Sequence, residues 1–524
     1  MTITDMINVF DMQQRKGFLM FVENRYKLDF HVDLLVSPMN LEHQLKQLEK
    51  SARQLDLTSN ERKEYDTAIR DYLFNFLDEL EGKNSWVADS EPSKEIYDFP
   101  ITENGYKLED LLRLYERSVN NTGLQPASGG HLGYIPGGGI PLAGYGDLIA
   151  AITNKYSGIY FGNPGAIRLE NHLIDWTAKQ FGFTGEYGGN LTTGGSIGNL
   201  IAIVSARDAH CIKGKDFETT VIYGSSQMHH SLNKAIRIAG LGECIYRNIP
   251  LKENYHLDTN FLSHQIEKDK LKGLKPFLII GSVGTTDTGI VDDLDKLSEI
   301  SQQNNCWFHV DGAYGGYFYL IDELKDKFKG IEKADSLVID PHKGLFLPYG
   351  TGMVLVKDRK AMLHSHYYTA NYMQDAYKAP DEWSPADVSP ELSRNFRGLR
   401  MWLPLMVHGL KPFKDAILEK YLLTKYAYQK LKETPYIEVG KEHELSVQTF
   451  RFWKENTSDE NLNKLNEKIL EGLHNDGRIF ISSTRIEGIY TLRFAILSFR
   501  THKREIDLIL EMMEEQAVIF GLKK

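Results

Sequence analysis

The spacing of apolar positions changes twice along the chain and divides it into three stretches. Residues 1–125 are rich in charge and helix formers, and between Asn40 and Asp56 the residues Leu41, Leu45, Leu48 and Leu55 recur near helical spacing. This predicts a helical N-terminal segment whose apolar stripe covers a core. Acidic and basic charges alternate on its polar side, which argues against a role on a membrane surface. Over 126–407 short apolar runs take over: Thr219 to Tyr223, Phe277 to Val283, Trp307 to Val310, Leu337 to Ile339 and Met353 to Val356, most of them separated by helix-length segments such as Asp292 to Asn304. Runs that are apolar throughout, rather than alternating, belong to strands covered on both faces, so this stretch is expected to be an α/β domain with a mostly parallel central sheet. Over 408–524 helical stretches lead into strand signals at Leu445 to Phe452, Arg478 to Ser483 and Tyr490 to Ser498, which predicts a small α+β domain. No repeat or flexible linker separates the three, so they are expected to pack together.

Composition narrows the function. The 524 residues carry 61 Lys and Arg against 71 Asp and Glu, a net charge of −10, which disfavours nucleic acid as a partner. The apolar (42%) and charged (25%) fractions are those of a folded globular chain. Three scattered cysteines, Cys211, Cys244 and Cys306, suggest neither a disulfide framework nor a zinc site and point to a reducing compartment. No run approaches the about 18 apolar residues of a membrane span. A soluble, cytoplasmic protein without a membrane partner is the expectation.

Four clusters carry candidate chemistry. In DSLVIDPHKGLFLPYGTG (Asp335 to Gly352) an apolar strand runs into Pro341, His342, Lys343 and Gly344. A lysine is ordinarily a solvated surface residue. Apolar sequence on both sides would leave this ammonium partly desolvated and available for Schiff-base formation, so Lys343 is a candidate covalent anchor. CWFHVDGAYGG (Cys306 to Gly316) places Asp311 just past an apolar strand, where a buried carboxylate needs a cationic partner; a helix cap or a structural ion pair is the plainer reading. The 32 positions from Asp311 to Lys343 suffice for one helical crossover between neighbouring parallel strands, so both residues can open into one crevice.

GGNLTTGGSIGNLIAIVSARDAH (Gly188 to His210) reads as a Gly-rich turn feeding an apolar helix. Gly194 and Gly195 permit close approach of the backbone, and Ser196 adds a hydroxyl to the first-turn amides, a suitable site for phosphate. Neither a Walker lysine nor GxGxxG spacing is present, and a simple tight turn is the alternative. In SSQMHHSLNKA (Ser225 to Ala235), His229 and His230 are adjacent; with no HExxH or further ligands nearby, no metal site is indicated, and a ring that stacks on a planar ligand or donates a proton fits as well. A phosphate cradle, a ring neighbour, an acid and an amine on one α/β sheet make the set that pyridoxal 5′-phosphate requires.

With TTGGSIGNL, SSQMHHSLNKA, GTTDTG, HVDGAYGG, DPHKG and SRNFRGLRMW in that order, the sequence resembles the group II pyridoxal-phosphate-dependent amino acid decarboxylases, strongly from Ser128 to Gly409 and weakly beyond. The resemblance implies an aspartate-aminotransferase-like fold, a homodimer with shared active sites, and decarboxylation of an L-amino acid to the amine and CO₂, with an aromatic substrate favoured. An acidic or diamino acid decarboxylase, or a lyase or aldehyde synthase of the same fold, is the alternative, and the intact Lys343 and Asp311 pair speaks against a non-catalytic scaffold. By the same resemblance Lys343 anchors the cofactor, Asp311 partners its pyridine nitrogen, and Ala313 and His229 lie against opposite ring faces. Gly195 and Ser196 hold the phosphate, Thr286 sits near the ring substituents, and His342 positions or protonates the reacting group. Tyr134, Ile135 and Pro136 line the substrate pocket, and Gly312 stands where the family more often has Ala. The polar composition of the stretch from Tyr372 to Ser393, with three prolines, predicts a mobile loop, and the resemblance implies that a tyrosine on it protonates Cα; Tyr377 is the nearest candidate and Tyr372 the second.

Overall fold

A computed structural model describes residues 41–368 and 382–523, which fall into two compact units, one ending at Leu77 and the other beginning at Asp78. The first holds the helix Leu41–Ala52, the turn Arg53–Leu55 and most of the helix Ser59–Glu79. The expected stripe is there but covers no core among the described residues: Leu41, Leu45, Leu48 and Leu55 are all exposed, and no residue of Leu41–Ala52 is buried.

The second unit is built on a seven-stranded sheet. In chain order its strands are β1 (Gly188–Thr192), β2 (Thr220–Ser225), β3 (Ile245–Ile249), β4 (Lys275–Ser282), β5 (Trp307–Gly312), β6 (Ser336–Ile339) and β7 (Gly352–Val356). Across the sheet they run β1-β7-β6-β5-β4-β2-β3, with β7 antiparallel to both neighbours and the other pairs parallel. Side chains alternate between two cores: Ile279, Leu337 and Ile339 enter one apolar cluster, while Leu278, Ile280 and Val338 enter the other. That double burial is why the five apolar runs read as strands. The connection from β5 to β6, expected as a helix, is instead three tight turns, Gly316–Leu320, Asp322–Phe328 and Ile331–Lys333. Its apolar residues Phe318, Leu324, Phe328 and Ile331 are buried one turn at a time, and Gly330 (φ 96) lies so close to Asp295 that a Cβ would meet its backbone nitrogen at 2.5 Å.

A second sheet follows, with strands β8 (Ile437–Val439), β9 (Val447–Phe452), β10 (Phe480–Ile486) and β11 (Ile489–Ala495) in the order β8-β9-β11-β10. The helices Lys411–Glu433, Asp459–Asp476 and Lys503–Ile519 contribute to its core. The short strand His131–Leu132 pairs in parallel with β10, which fixes the start of the Tyr134 segment against this sheet. Among the described residues no helix is long and apolar enough to cross a membrane.

Candidate active site

One edge of the seven-stranded sheet collects the candidate residues. His229 follows the end of β2, Thr286 follows β4, Asp311 lies at the end of β5, and Lys343 is four residues beyond β6. Because β7 is antiparallel to both neighbours, β1 runs with the parallel strands and delivers Gly194 and Gly195 to the same edge. The carboxyl ends of parallel strands are where open α/β sheets bind ligands.

Lys343 sits in the single-turn helix Pro341–Gly344, where Pro341 takes a first-turn position that needs no N–H. Its Nζ is 3.2 Å from Oδ2 of Asp340, a residue only 2% exposed. His342 donates from Nδ1 to the Thr351 carbonyl at 2.6 Å, and its Nε2 lies 3.8 Å from Asp340 Oδ2. Burial holds this imidazole below its ordinary pKa against the pull of Asp340, so the neutral ring presents an unprotonated Nε2 able to accept a proton.

The Gly-rich segment is half strand and half helix start. Gly194 adopts φ 151, and the helix Gly195–Ala209 begins immediately after it. The first-turn amides have no carbonyl one turn back to bond, and the helix dipole favours an anion there. A Cβ on Gly195 would stand 3.1 Å from the Ala313 methyl and from Asp340 Oδ2, so the cradle, the ring-face alanine and the lysine's acid are in close contact. Ser196 is exposed at the mouth of this turn.

Asp311 is 7% exposed. Its Oδ1 accepts from the Ala313 N–H at 3.1 Å and its Oδ2 from Asn199 Nδ2 at 3.2 Å. The sequence suggested a cation beside it; the donors seen among the described residues are neutral, which leaves its charge for a cationic ring nitrogen. His229 accepts the Ser231 N–H at Nδ1 (3.2 Å), with Ser231 Oγ 2.7 Å away. Burial pushes its pKa down, opposed by Asp311, and the His230 ring lies 4.1 Å from its own. Thr286 is half-buried in the turn closed by the Gly289 N–H donating to the Thr285 carbonyl at 2.9 Å.

Tyr134 is exposed with φ 54, Ile135 packs on the core, and Pro136 is buried. A Cβ on Gly137 would meet the His342 carbonyl at 2.0 Å, so this segment runs directly against the lysine helix. Tyr377 and Tyr372 lie outside the described residues. The far end of the expected mobile loop is a correction: Ser384 Oγ accepts the Tyr160 N–H at 2.9 Å, Val388 is fully buried, and Arg359 stacks 4.2 Å over Trp383. Its scattered apolar residues anchor it in spite of its polar composition.

The arginines of SRNFRGLRMW serve as clamps. Arg394 pairs with Glu170 at 2.9 Å with both side chains fully buried, and Arg397 pairs with Glu391 at 2.7 Å. Arg400 pairs with Asp147 at 2.7 Å and donates to Thr351 Oγ1 at 3.0 Å, steadying the residue whose carbonyl holds His342. Sequence reasoning missed Asn199, His309, Asp340 and Arg493. Arg493 is buried, donates from Nη2 to the Tyr134 carbonyl at 3.1 Å, and has an Nε without a partner among the described residues. His309 was within reach, since residues two apart on a strand share a face and HVD puts it beside Asp311.

These residues fit pyridoxal 5′-phosphate. The Gly194–Gly195 turn offers amides where a Cβ would fill the space, Asp311 offers an uncompensated carboxylate, and Lys343 offers an amine held by an acid. The comparisons with known proteins agree. Residues 134–453 match the pyridoxal-dependent decarboxylase conserved domain. The chain is 29% identical over 455 residues to an aromatic-L-amino-acid decarboxylase of Bacillus atrophaeus, covering 86% of this chain and 94% of that one. It is 31% identical over 425 residues to tyrosine decarboxylase 2 of Narcissus pseudonarcissus, covering 79% and 85%. Among solved structures, Oryza sativa tryptophan decarboxylase with pyridoxal phosphate and tryptamine superposes with a TM-score of 0.84 at 22% identity, over 89% of this chain and 99% of that one. The fold is that of these enzymes, and the chain belongs to the pyridoxal-dependent decarboxylase family as a pyridoxal-phosphate-dependent amino acid decarboxylase.

Proposed function

We propose that the protein decarboxylates an aromatic L-amino acid to the amine and CO₂. The observation that carries this reading is the convergence of Lys343, Asp311 and the Tyr134 segment on one sheet edge, joined to relatives named for aromatic substrates. Bound there, pyridoxal 5′-phosphate supplies the electron sink for the pair left at Cα when CO₂ departs. Lys343 Nζ is the covalent anchor, and Asp340 holds it and takes up its charge. The Asp311 carboxylate would keep the ring nitrogen protonated, and His229 and Ala313 would hold the ring from its two faces. First-turn amides of Gly195 and Ser196 would hold the phosphate, Thr286 would border the ring substituents, and the unprotonated His342 Nε2 would accept a proton near the reacting group. Tyr134, Ile135 and Pro136 form the wall for the aromatic side chain. By resemblance, Tyr377, with Tyr372 second, returns the proton to Cα.

The working unit in this reading is a cytoplasmic homodimer with shared sites. Supporting the dimer, the helices Pro141–Thr153 and Gly398–His408 pack together and leave Tyr145, Leu148, Ile149, Ile152, Met406 and Val407 exposed, a patch that a lone soluble chain rarely shows. Supporting a reducing compartment, all three cysteines are free.

The test is a panel of aromatic, acidic and diamino acids with CO₂ and product analysis, and peptide mapping after borohydride reduction. CO₂ with amine from tyrosine, tryptophan or phenylalanine, and the cofactor fixed to Lys343, is the expected result. Turnover confined to an acidic or diamino substrate, aldehyde in place of amine, or the cofactor on another lysine would overturn the respective assignment.

A further inference from the structure

Behind the ring-side acid runs a chain of buried polar groups that none of the roles above uses. Trp307 Nε1 is 2.8 Å from Ser336 Oγ, which is 2.8 Å from His309 Nδ1. His309 Nε2 is 3.0 Å from Asn199 Oδ1, and Asn199 Nδ2 is 3.2 Å from both Asp311 Oδ2 and Ser231 Oγ. Ser231 Oγ in turn is 2.7 Å from His229 Nδ1. Asn199, Ser336 and His309 are fully buried, and Ser231 nearly so.

The two ends decide every proton between them. A carboxylate only accepts, so the amide face of Asn199 turns to Asp311 and its carbonyl to His309. That carbonyl needs a donor, which places the His309 proton on Nε2 and leaves Nδ1 bare for the Ser336 hydroxyl. Ser336 then accepts from the Trp307 indole, which can only donate. On the other arm the second Asn199 proton goes to Ser231 Oγ, whose own proton goes to His229 Nδ1, already an acceptor of the Ser231 N–H. Every bond points one way, and both histidines are neutral with the proton on Nε2. Burial independently favours the neutral forms, holding His309 at about 4 and His229 below its usual value.

We propose that Asn199 is a positioning residue that locks the ring-side carboxylate of Asp311 and the ring-face imidazole of His229 into a single hydrogen-bonded unit, oriented from Trp307 through Ser336 and His309. It rests on the reading of Asp311 as the ring-nitrogen partner and of His229 as the stacking ring. The helix that opens with the phosphate cradle at Gly195 carries Asn199 on its second turn, so one helix sets the phosphate, the acid and the stacking ring together.

The test uses the holoenzyme. Asn199→Ala should shift the pH midpoint of the bound cofactor's absorbance by about half a unit or more in the direction that Asp311→Asn shifts it. It should also weaken cofactor retention on dialysis about tenfold, the usual scale for loss of an outer supporting contact. The double variant should do little more than Asp311→Asn alone. Ser231→Ala, which breaks only the His229 arm, should weaken retention while leaving the midpoint in place. Should Asn199→Ala not accumulate folded, Asn199→Ser, too short to reach Asp311 and Ser231 together, reads the same midpoint. An unmoved midpoint with normal retention, or a fall in melting temperature with additive effects in the double variant, would reduce Asn199 to a structural residue and overturn the proposal. If Asp311→Asn itself left the midpoint unmoved, the ring-nitrogen reading would fail first, and the lock with it.

Discussion

His131, His309 and His443 are held near a pKa of about 4 by burial, against 6.5 for a free imidazole. Between those values the unfolded chain binds protons that the folded chain refuses. Stability is therefore complete above pH 6.5 and is lost as the pH falls, with a slope approaching about 1.4 kcal/mol per pH unit for each such histidine. His131 isolates the effect, because neither ring nitrogen has a partner among the described residues and it packs against Phe480 at 5.6 Å between ring centroids. Urea midpoints should fall from pH 7 to pH 5, and His131→Leu should narrow the gap; an unchanged gap would mean that His131 is protonated in the native state. The same scale shows what the sequence could disclose. Asp311, Lys343 and His229 stand at strand ends in marked motifs and were legible, whereas Asn199 looks like any helix residue until the fold turns its amide toward Asp311. Asp340 was passed over beside the lysine, and nothing in the chain tells that its carboxylate presses on Gly195, far away in sequence.

Among elements, legibility followed burial. β2, β4, β5, β6 and β7 are apolar over most of their length and buried on both faces, so composition revealed them. β1, with the sequence GGNLT, is just as buried, but its glycines disguise a strand as a turn. β3, with the sequence IYRNI, lies at the sheet edge, is only partly buried, and has Arg247 and Asn248 at its centre, so it carries no apolar run to find. The glycines of β1 and β7 have a local cause. Gly352 pairs with Thr192, and a Cβ there would stand 2.6 Å from the Gly194 backbone and from Thr192 Oγ1. Gly352→Ala should therefore push the phosphate turn out of place. Cofactor affinity, measured by fluorescence titration of the apoenzyme, is expected to fall about tenfold or more, with a destabilisation of about 1–3 kcal/mol from overpacking. Normal affinity would show that the turn yields without cost and that its position does not set phosphate binding.

For the whole molecule, the exposed patch on Pro141–Thr153 and Gly398–His408 makes the dimer proposal testable apart from activity. Ile152 is 75% exposed, and Met406 and Val407 are each more than 60% exposed, values at which large apolar side chains normally find a partner. The first of these helices follows directly on the Tyr134 segment, and the second carries Arg400, which steadies Thr351 and through it His342. A partner docked here would thus bear on the active site through two short connections. A stable dimer buries about 800 Å² on each side, and a charge at its apolar centre cannot be solvated once the faces meet. Sedimentation of the native protein should give a dimer, and Ile152→Glu should shift the equilibrium to monomer at micromolar concentration. If the sites are shared, turnover per chain should fall in proportion to the monomer fraction and recover as concentration is raised. A monomeric Ile152→Glu protein with full turnover would show that each chain completes its own site, and a dimer untouched by the substitution would place the interface elsewhere.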